Sequence, residues 1–134
     1  MCIVPGRYLQ MLLGVMARES PDAPIILILD GRDSFSRQRY TLAHMLGHYV
    51  QLKENGGLGQ RFGFVEDTQD LSIRTKDATR FAHELLIPEE AIRIWCRGGI
   101  SINVIRAVLD VPKSVLRGRI RDLELSPMED EKQY

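Results

Sequence analysis

The stretch Arg37–Gln51, which reads RQRYTLAHMLGHYVQ, decides how this chain folds and what chemistry it can support. His44 and His48 stand four residues apart within it. On an α-helix, side chains at positions i and i+4 leave from the same face, so both imidazoles can bind one metal ion. The pair alone is weak evidence, because histidines at this spacing are common in helices that bind no metal. The choice between a metal site and ordinary packing therefore depends on the residues around the pair.

Met45 occupies the position directly after the first histidine. In zinc peptidases with an H-E-x-x-H motif, a glutamate stands at this position and accepts a proton from the metal-bound water. A thioether is a weak hydrogen-bond acceptor and cannot act as a base near neutral pH. The stretch therefore has the spacing of a zinc-peptidase helix but lacks its catalytic carboxylate.

The composition bounds the class of protein. The chain has 134 residues, 44% hydrophobic and 27% charged, with zero formal net charge, which is typical of one globular domain. Cys2 and Cys96 lie far apart without partners at metal-ligand spacing, so we expect no disulfide framework and a cytoplasmic location. The apolar segment Leu9–Ala17 is too short to span a membrane and lacks a signal-peptide cleavage pattern, so we expect no membrane partner.

Periodicity and turn residues predict a helix-rich α+β domain with a small sheet. The first part should contain, in order, a buried helix at Leu9–Ala17, a buried strand at Ile25–Leu29, a central helix at about Ser36–Lys53 capped by Ser34 or Ser36, and a short edge strand at Phe62–Val65. The helices expected after it run from Ser72 or Thr75 to Pro88, then over Glu89–Arg97, Ile102–Leu109 and Lys113–Leu123. Residues expected near the core are Leu42, Met45, Leu46 and Tyr49, followed by Ala78, Phe81, Ala82, Leu85 and Leu86.

Two motifs together carry a resemblance to the ImmA/IrrE family of zinc metallopeptidases, small cytosolic domains of bacteria and phages. Family members typically read R-x-R-F-T-L-A-H-E-L-G-H and then E-x-x-A-N-x-F-A-x-x-L-L-M-P, which this chain resembles at Arg37–His48 and Ala78–Pro88. Ile100–Leu125 is similar to the family's closing pair of helices. The resemblance implies a single domain over residues 1–134, with a zincin-like (minigluzincin-type) core at about 25–98 and a helix-turn-helix-like segment at 100–125. The polar composition of the last residues predicts a flexible tail at 126–134.

The departures from the family pattern are as informative as the matches. The resemblance places Met45 at the general-base position, Thr75 at the position of the third zinc ligand, and Thr79 at the position of the family's asparagine. His44 and His48 remain as the two candidate metal ligands. A site with two histidines would hold zinc weakly or not at all, so the sequence predicts a catalytically inactive relative of the peptidases.

The resemblance also implies a partner, because active family members cleave helix-turn-helix repressors in phages and mobile elements, and some relatives belong to toxin–antitoxin modules. We expect this chain to bind such a repressor or antitoxin without cleaving it. One alternative is an active zinc endopeptidase that uses Glu54 or Asp77 as its base. Another is a nucleic-acid-binding regulator, because Lys113, Arg117 and Arg121 form a basic stripe at i, i+4 and i+8, which could equally be a solvated helix face.

Four further residues could be taken for metal-binding or catalytic groups, but the sequence pattern does not favour such a role. His83 and Glu84 begin a second H-E-x-x-H, but Ile87 stands where its second histidine belongs, so we expect His83 to face solvent. Trp95 and Cys96 lie among isoleucines and are expected to pack rather than to catalyse.

Overall fold

The computed structural model describes residues 12–56, 62–67 and 73–127 of the chain. Within them the elements in chain order are β1 (Leu12–Arg18), β2 (Ile26–Leu29), α1 (Phe35–Glu54), β3 (Phe62–Asp67), α2 (Ile73–Leu86), α3 (Glu89–Arg97), α4 (Ile102–Leu109) and α5 (Lys113–Asp122). The predicted helix-rich α+β architecture is therefore confirmed, and the five helices begin and end close to the expected residues. Most of the predicted tail lies outside the described residues.

The three strands form one antiparallel sheet in the order β2-β1-β3. In the centre of β1, Met16 lies opposite Leu27 on one side and Phe64 on the other. The predicted helix over Leu9–Ala17 is wrong from Leu12 onward. A short apolar run fits a helix and a central strand equally well, and Gly14 weakens the helical alternative by about 1 kcal/mol. Because β1 pairs with β2 along one edge and with β3 along the other, the strand is the conformation that forms.

The strand predicted at Ile25–Leu29 is confirmed, but its predicted burial is wrong. Ile26, Leu27 and Ile28 are 54%, 44% and 52% exposed. The reason is the position of β2 at the edge of the sheet, where it pairs with β1 alone among the described residues. A continuous apolar sequence normally indicates a strand covered on both faces, and here it does not.

A tight turn sets the start of α1. The backbone N–H of Arg32 donates to the side chain of Asp30 at 2.9 Å, and the N–H of Arg37 donates to the hydroxyl of Ser34 at 3.3 Å. Ser34 is therefore the N-cap, one of the two predicted candidates.

The central helix presents different side chains to the sheet and to the other helices. The buried residues of α1 are Thr41, Ala43, His44, Met45, Gly47 and His48. Met45 is buried as predicted, whereas Leu42 and Leu46 are 42% and 43% exposed and the expectation that they lie in the core is wrong. Both lie beside the edge strand, which covers that side of α1 only in part.

α1 and α2 approach each other closely at Gly47. A Cβ atom added there would lie 3.0 Å from the Cα and 3.2 Å from the carbonyl oxygen of Ala78. Ala78 and Ala82 are fully buried on α2, whereas Leu85 is 51% exposed, against the prediction. Small residues therefore set the distance between the two helices that carry the candidate site.

Two arginines attach the C-terminal helices to the rest of the core. Arg39 of α1 donates to the carbonyl oxygens of Leu109 and Asp110 at the end of α4. Arg119 of α5, only 8% exposed, donates through Nε to the carbonyl oxygen of Ile87 at 3.2 Å, just past the end of α2. Both cations sit at the carbonyl end of a helix, where the helix dipole favours positive charge. The hydrophobic core between these helices is formed by Ala43, Ala82, Leu86, Ile87, Ile92, Ile102, Ile105, Val111, Val115, Leu116 and Ile120.

Candidate functional site

The two histidines of the opening motif lie side by side on α1. His44 and His48 are 6% and 1% exposed, and their ring centroids are 5.1 Å apart at an interplanar angle of 68°. Both rings leave the same face of α1, as the i, i+4 spacing requires. Two imidazoles in this arrangement can contribute nitrogen ligands to one metal ion.

Thr79 of α2 lies directly against this pair. Its hydroxyl oxygen is 2.9 Å from Nε2 of His44, a hydrogen bond that fixes the orientation of the imidazole ring. Thr79, which the sequence resemblance places at the family's asparagine, is therefore a polar neighbour of His44. Thr75 lies one helical turn earlier on α2, and its side chain lies outside the described residues.

Met45 contributes to packing between helix and sheet. Its side chain is fully buried, and a Cβ atom added to Gly14 of β1 would lie 3.0 Å from its Sδ atom. The thioether thus fills the space between α1 and the central strand. The residue directly after the first histidine of the pair is therefore a side chain that stabilises the fold.

His83 is buried, so the prediction that it faces solvent is wrong. It is 7% exposed, and its ring centroid is 6.3 Å from that of Tyr40, which is itself 6.0 Å from the ring of His44. His83 follows Thr79 by four residues and shares its face of α2, so both residues face α1. Burial lowers the pKa of His83, the charges of Arg119 and His44 act in the same direction, and Asp122 opposes them.

This shift predicts a pH dependence of stability. A histidine whose pKa is lowered by folding binds protons more readily in the unfolded chain, so acid favours unfolding. The free energy of unfolding should begin to fall as the pH drops below about 6.5, the ordinary value, and should stop falling at the lower folded pKa of His83. Urea denaturation at a series of pH values measures the free energy of unfolding. The His83→Gln variant should show a weaker dependence of this free energy on pH. A variant that keeps the full dependence would assign the effect to other groups.

The described residues supply an incomplete set of zinc ligands. A catalytic zinc site uses three protein ligands and an open position for water. Asp77, Glu84 and Glu54 are all exposed, and within residues 12–56, 62–67 and 73–127 no three His, Cys, Asp or Glu side chains lie close enough together to hold a metal ion. His44 and His48 can supply two of the three protein ligands that such a site requires.

The basic stripe lies on the surface of α5. Lys113, Arg117 and Arg121 are exposed, while the opposite face of this helix is buried in the core. Arg119 belongs to the buried face and not to the stripe. The three cations therefore form an exposed basic stripe along one face of α5.

Trp95 and Cys96 pack against the helical core, as predicted. Burial raises the pKa of the Cys96 thiol, which keeps it protonated and a poor nucleophile near neutral pH.

The helix-rich α+β fold thus carries a buried histidine pair on its central helix, at the i and i+4 spacing that H-E-x-x-H metallopeptidases use. The family model of the IrrE N-terminal-like domain matches residues 12–121, most of the chain. The chain belongs to this family, which confirms the resemblance inferred from the two sequence motifs. A search of curated proteins and a search of solved structures each find no match.

None of the helices in the described part of the chain combines the length and apolar character needed to cross a bilayer.

Proposed function

We propose that this protein is a catalytically inactive member of the IrrE-like family that acts by binding a protein partner. The observation that carries the proposal is the burial of Met45 in the protein core. The residue at the general-base position is a fully buried thioether packed against the central strand of the sheet. Loss of a general base typically costs about 10²–10⁴ in rate, before any loss of metal affinity is counted.

The surroundings of the histidine pair support weak zinc binding or none. Thr79 holds Nε2 of His44 at 2.9 Å, so a metal that used this nitrogen would first have to displace a hydrogen bond. Thr75 stands at the third-ligand position, and a neutral hydroxyl is a poorer zinc ligand than a carboxylate. Both features lower the expected affinity for zinc. Together with the missing base at Met45, they support a protein without peptidase activity.

The partner we propose is a helix-turn-helix repressor or antitoxin, in phage or mobile-element regulation or in a toxin–antitoxin module. Family membership supports this class, because active relatives recognise such repressors as substrates. A domain that keeps its fold and loses its catalytic groups can still recognise the same protein. The complex would then either sequester the repressor or, if this protein is a toxin, neutralise this protein.

The test is to mix the purified protein with a helix-turn-helix repressor encoded beside it. Calorimetry should detect a complex, mass spectrometry should find the repressor intact, and metal analysis should find far less than one zinc per chain. Cleavage that disappears in His44→Ala would overturn the proposal in favour of an active endopeptidase. Loss of that cleavage in Asp77→Asn or Glu54→Gln would then identify the substitute base.

Nucleic acid is a second candidate partner, favoured by the exposed stripe of Lys113, Arg117 and Arg121. Phosphate contacts made by these cations would give DNA binding that weakens steeply with salt. Replacing Arg117 and Arg121 by alanine should then reduce the salt dependence. Binding that is unchanged by both substitutions would exclude the stripe as the contact surface.

A further inference from the structure

An open apolar groove lies between α1 and the first two strands. Its volume is about 380 Å³, and it is lined by Met16, Ile25, Leu27, Leu42, Met45, Leu46 and Tyr49. At about 100° per residue, Met45 lies roughly 100° and Leu42 and Leu46 roughly 160° around α1 from His44. The groove therefore opens on the side of α1 away from the ring of His44, with Met45 in its wall.

The edge strand beside this groove is unusually apolar and exposed. β2 pairs with β1 through one edge, and no other described strand lies along its second edge. Its residues Ile26 to Leu29 include neither a charged side chain nor a proline. Natural edge strands are commonly protected by such residues, because free backbone N–H and C=O groups recruit another strand.

We propose that the free edge of β2 pairs with β2 of a second copy of this chain. In antiparallel pairing about a two-fold axis perpendicular to the sheet, Leu27 lies opposite Leu27 of the second copy, and Ile26 lies opposite Ile28 of the second copy. This register produces a continuous six-stranded sheet. Both α1 helices lie on the same face of it, because such an axis keeps the faces of the two sheets aligned.

The register places apolar side chains from both copies together. Leu27 pairs with Met16 on β1 and lines the groove, so it points towards α1. In the dimer, the two Leu27 side chains therefore meet on the α1 side of the sheet. The exposed Leu42 and Leu46 of each copy flank them and close the two grooves against each other.

The exposed area is sufficient for a large part of a stable interface. A Leu or Ile residue presents on the order of 200 Å² in an extended chain, so Ile26, Leu27, Ile28, Leu42 and Leu46 together leave roughly 450 Å² exposed. A standard interface buries about 800 Å² per partner. These five residues supply more than half of that area before the backbone edge and the turns beside it are counted.

The charges near the axis also favour a second copy. In a two-fold interface each side chain near the axis faces its own equivalent, so a charged residue there would meet a like charge. All seven residues lining the groove and all four of β2 are uncharged. Apolar surface can meet its own copy without such repulsion.

Sedimentation equilibrium over a concentration series tests the proposal with the full chain. We expect a mass of twice 15.3 kDa at high concentration, dissociating on dilution. Leu27→Lys puts two ammonium groups at the axis and should weaken association by roughly 100-fold or more. Val108→Lys on α4, where the valine is 66% exposed, is the matched control and should leave the dimer intact.

A cross-link tests the register independently of association strength. Directly opposite residues of an antiparallel pair have Cα atoms about 4.5–5.5 Å apart, within the range of a disulfide. In a chain with Cys2→Ser and Cys96→Ser, Leu27→Cys should give a disulfide-linked dimer on mild oxidation, and Val108→Cys should not. A mass of 15.3 kDa at every concentration, or a dimer that survives Leu27→Lys, would overturn the proposal.

Discussion

Met45→Glu is expected to lower the free energy of unfolding by about 3–5 kcal/mol at pH 7 in the absence of metal. The side chain at this position is fully buried, in contact range of the central strand at Gly14 and beside Met16 and Leu42 in the lining of the groove. None of these groups can compensate a carboxylate, so the charge would lose its hydration without gaining a partner. Urea denaturation followed by circular dichroism measures the loss.

Met45→Leu is the matched control, because a volume-conserving apolar exchange usually costs less than about 1.5 kcal/mol. The difference between the two variants should shrink at lower pH, because burial raises the pKa of a carboxyl group and protonation removes the charge. Equal stability of the glutamate and leucine variants at pH 7 would contradict the assignment of Met45 to the core. The site would then be open to a base at no cost in folding.

Adding Thr75→Glu to Met45→Glu should restore a third metal ligand together with the base. If the family correspondence is right, zinc binding to the double variant should become tight and should recover part of the lost stability, because a ligand that binds only the folded state stabilises it. A double variant that binds zinc no better than the original chain would show that the correspondence is wrong.

Gly47→Val is expected to lower the free energy of unfolding by about 3 kcal/mol or more. The added Cβ would lie 3.0 Å from the Cα and 3.2 Å from the carbonyl oxygen of Ala78, and backbone atoms cannot move aside as a flexible side chain can. α1 and α2 would have to separate. This would also lengthen the hydrogen bond between His44 and Thr79.

Thermal unfolding measures this effect, and Gly31→Ala provides the control. No heavy atom lies within 4 Å of a Cβ added at Gly31, so that substitution should be close to neutral. A melting temperature for Gly47→Val that matches the original chain would mean that the two helices are not in close contact at this point.

The helices were predictable because their ends are marked in the sequence. Ser34 supplies a capping hydroxyl, Pro88 and Pro112 precede the first turns of α3 and α5, and Gly98 follows the last turn of α3. These signals are local, so they do not depend on the rest of the fold. The pairing of His44 and His48 was predictable for the same reason, since both lie on one helix.

The errors concern residues whose environment depends on distant parts of the chain. Leu27 is apolar and lies in a strand, but its exposure follows from the position of β2 at the sheet edge, which only the topology fixes. Likewise, His83 is buried because Thr79 and His83 face α1, and the sequence does not specify the rotation of α2. The contact between Thr79 and His44 spans 35 residues and could not be read from the spacing.

All three histidines of the chain lie buried on α1 and α2. Burial lowers the pKa of His83, so protonation of this residue in acid opposes the packing of α2 against α1. Acid opening should therefore begin at this helix pair as a local event, with amide hydrogen exchange rising first along α1 and α2 and later in α3 to α5. The helix pair that carries the histidines is therefore the part of the fold that we expect to open first in acid.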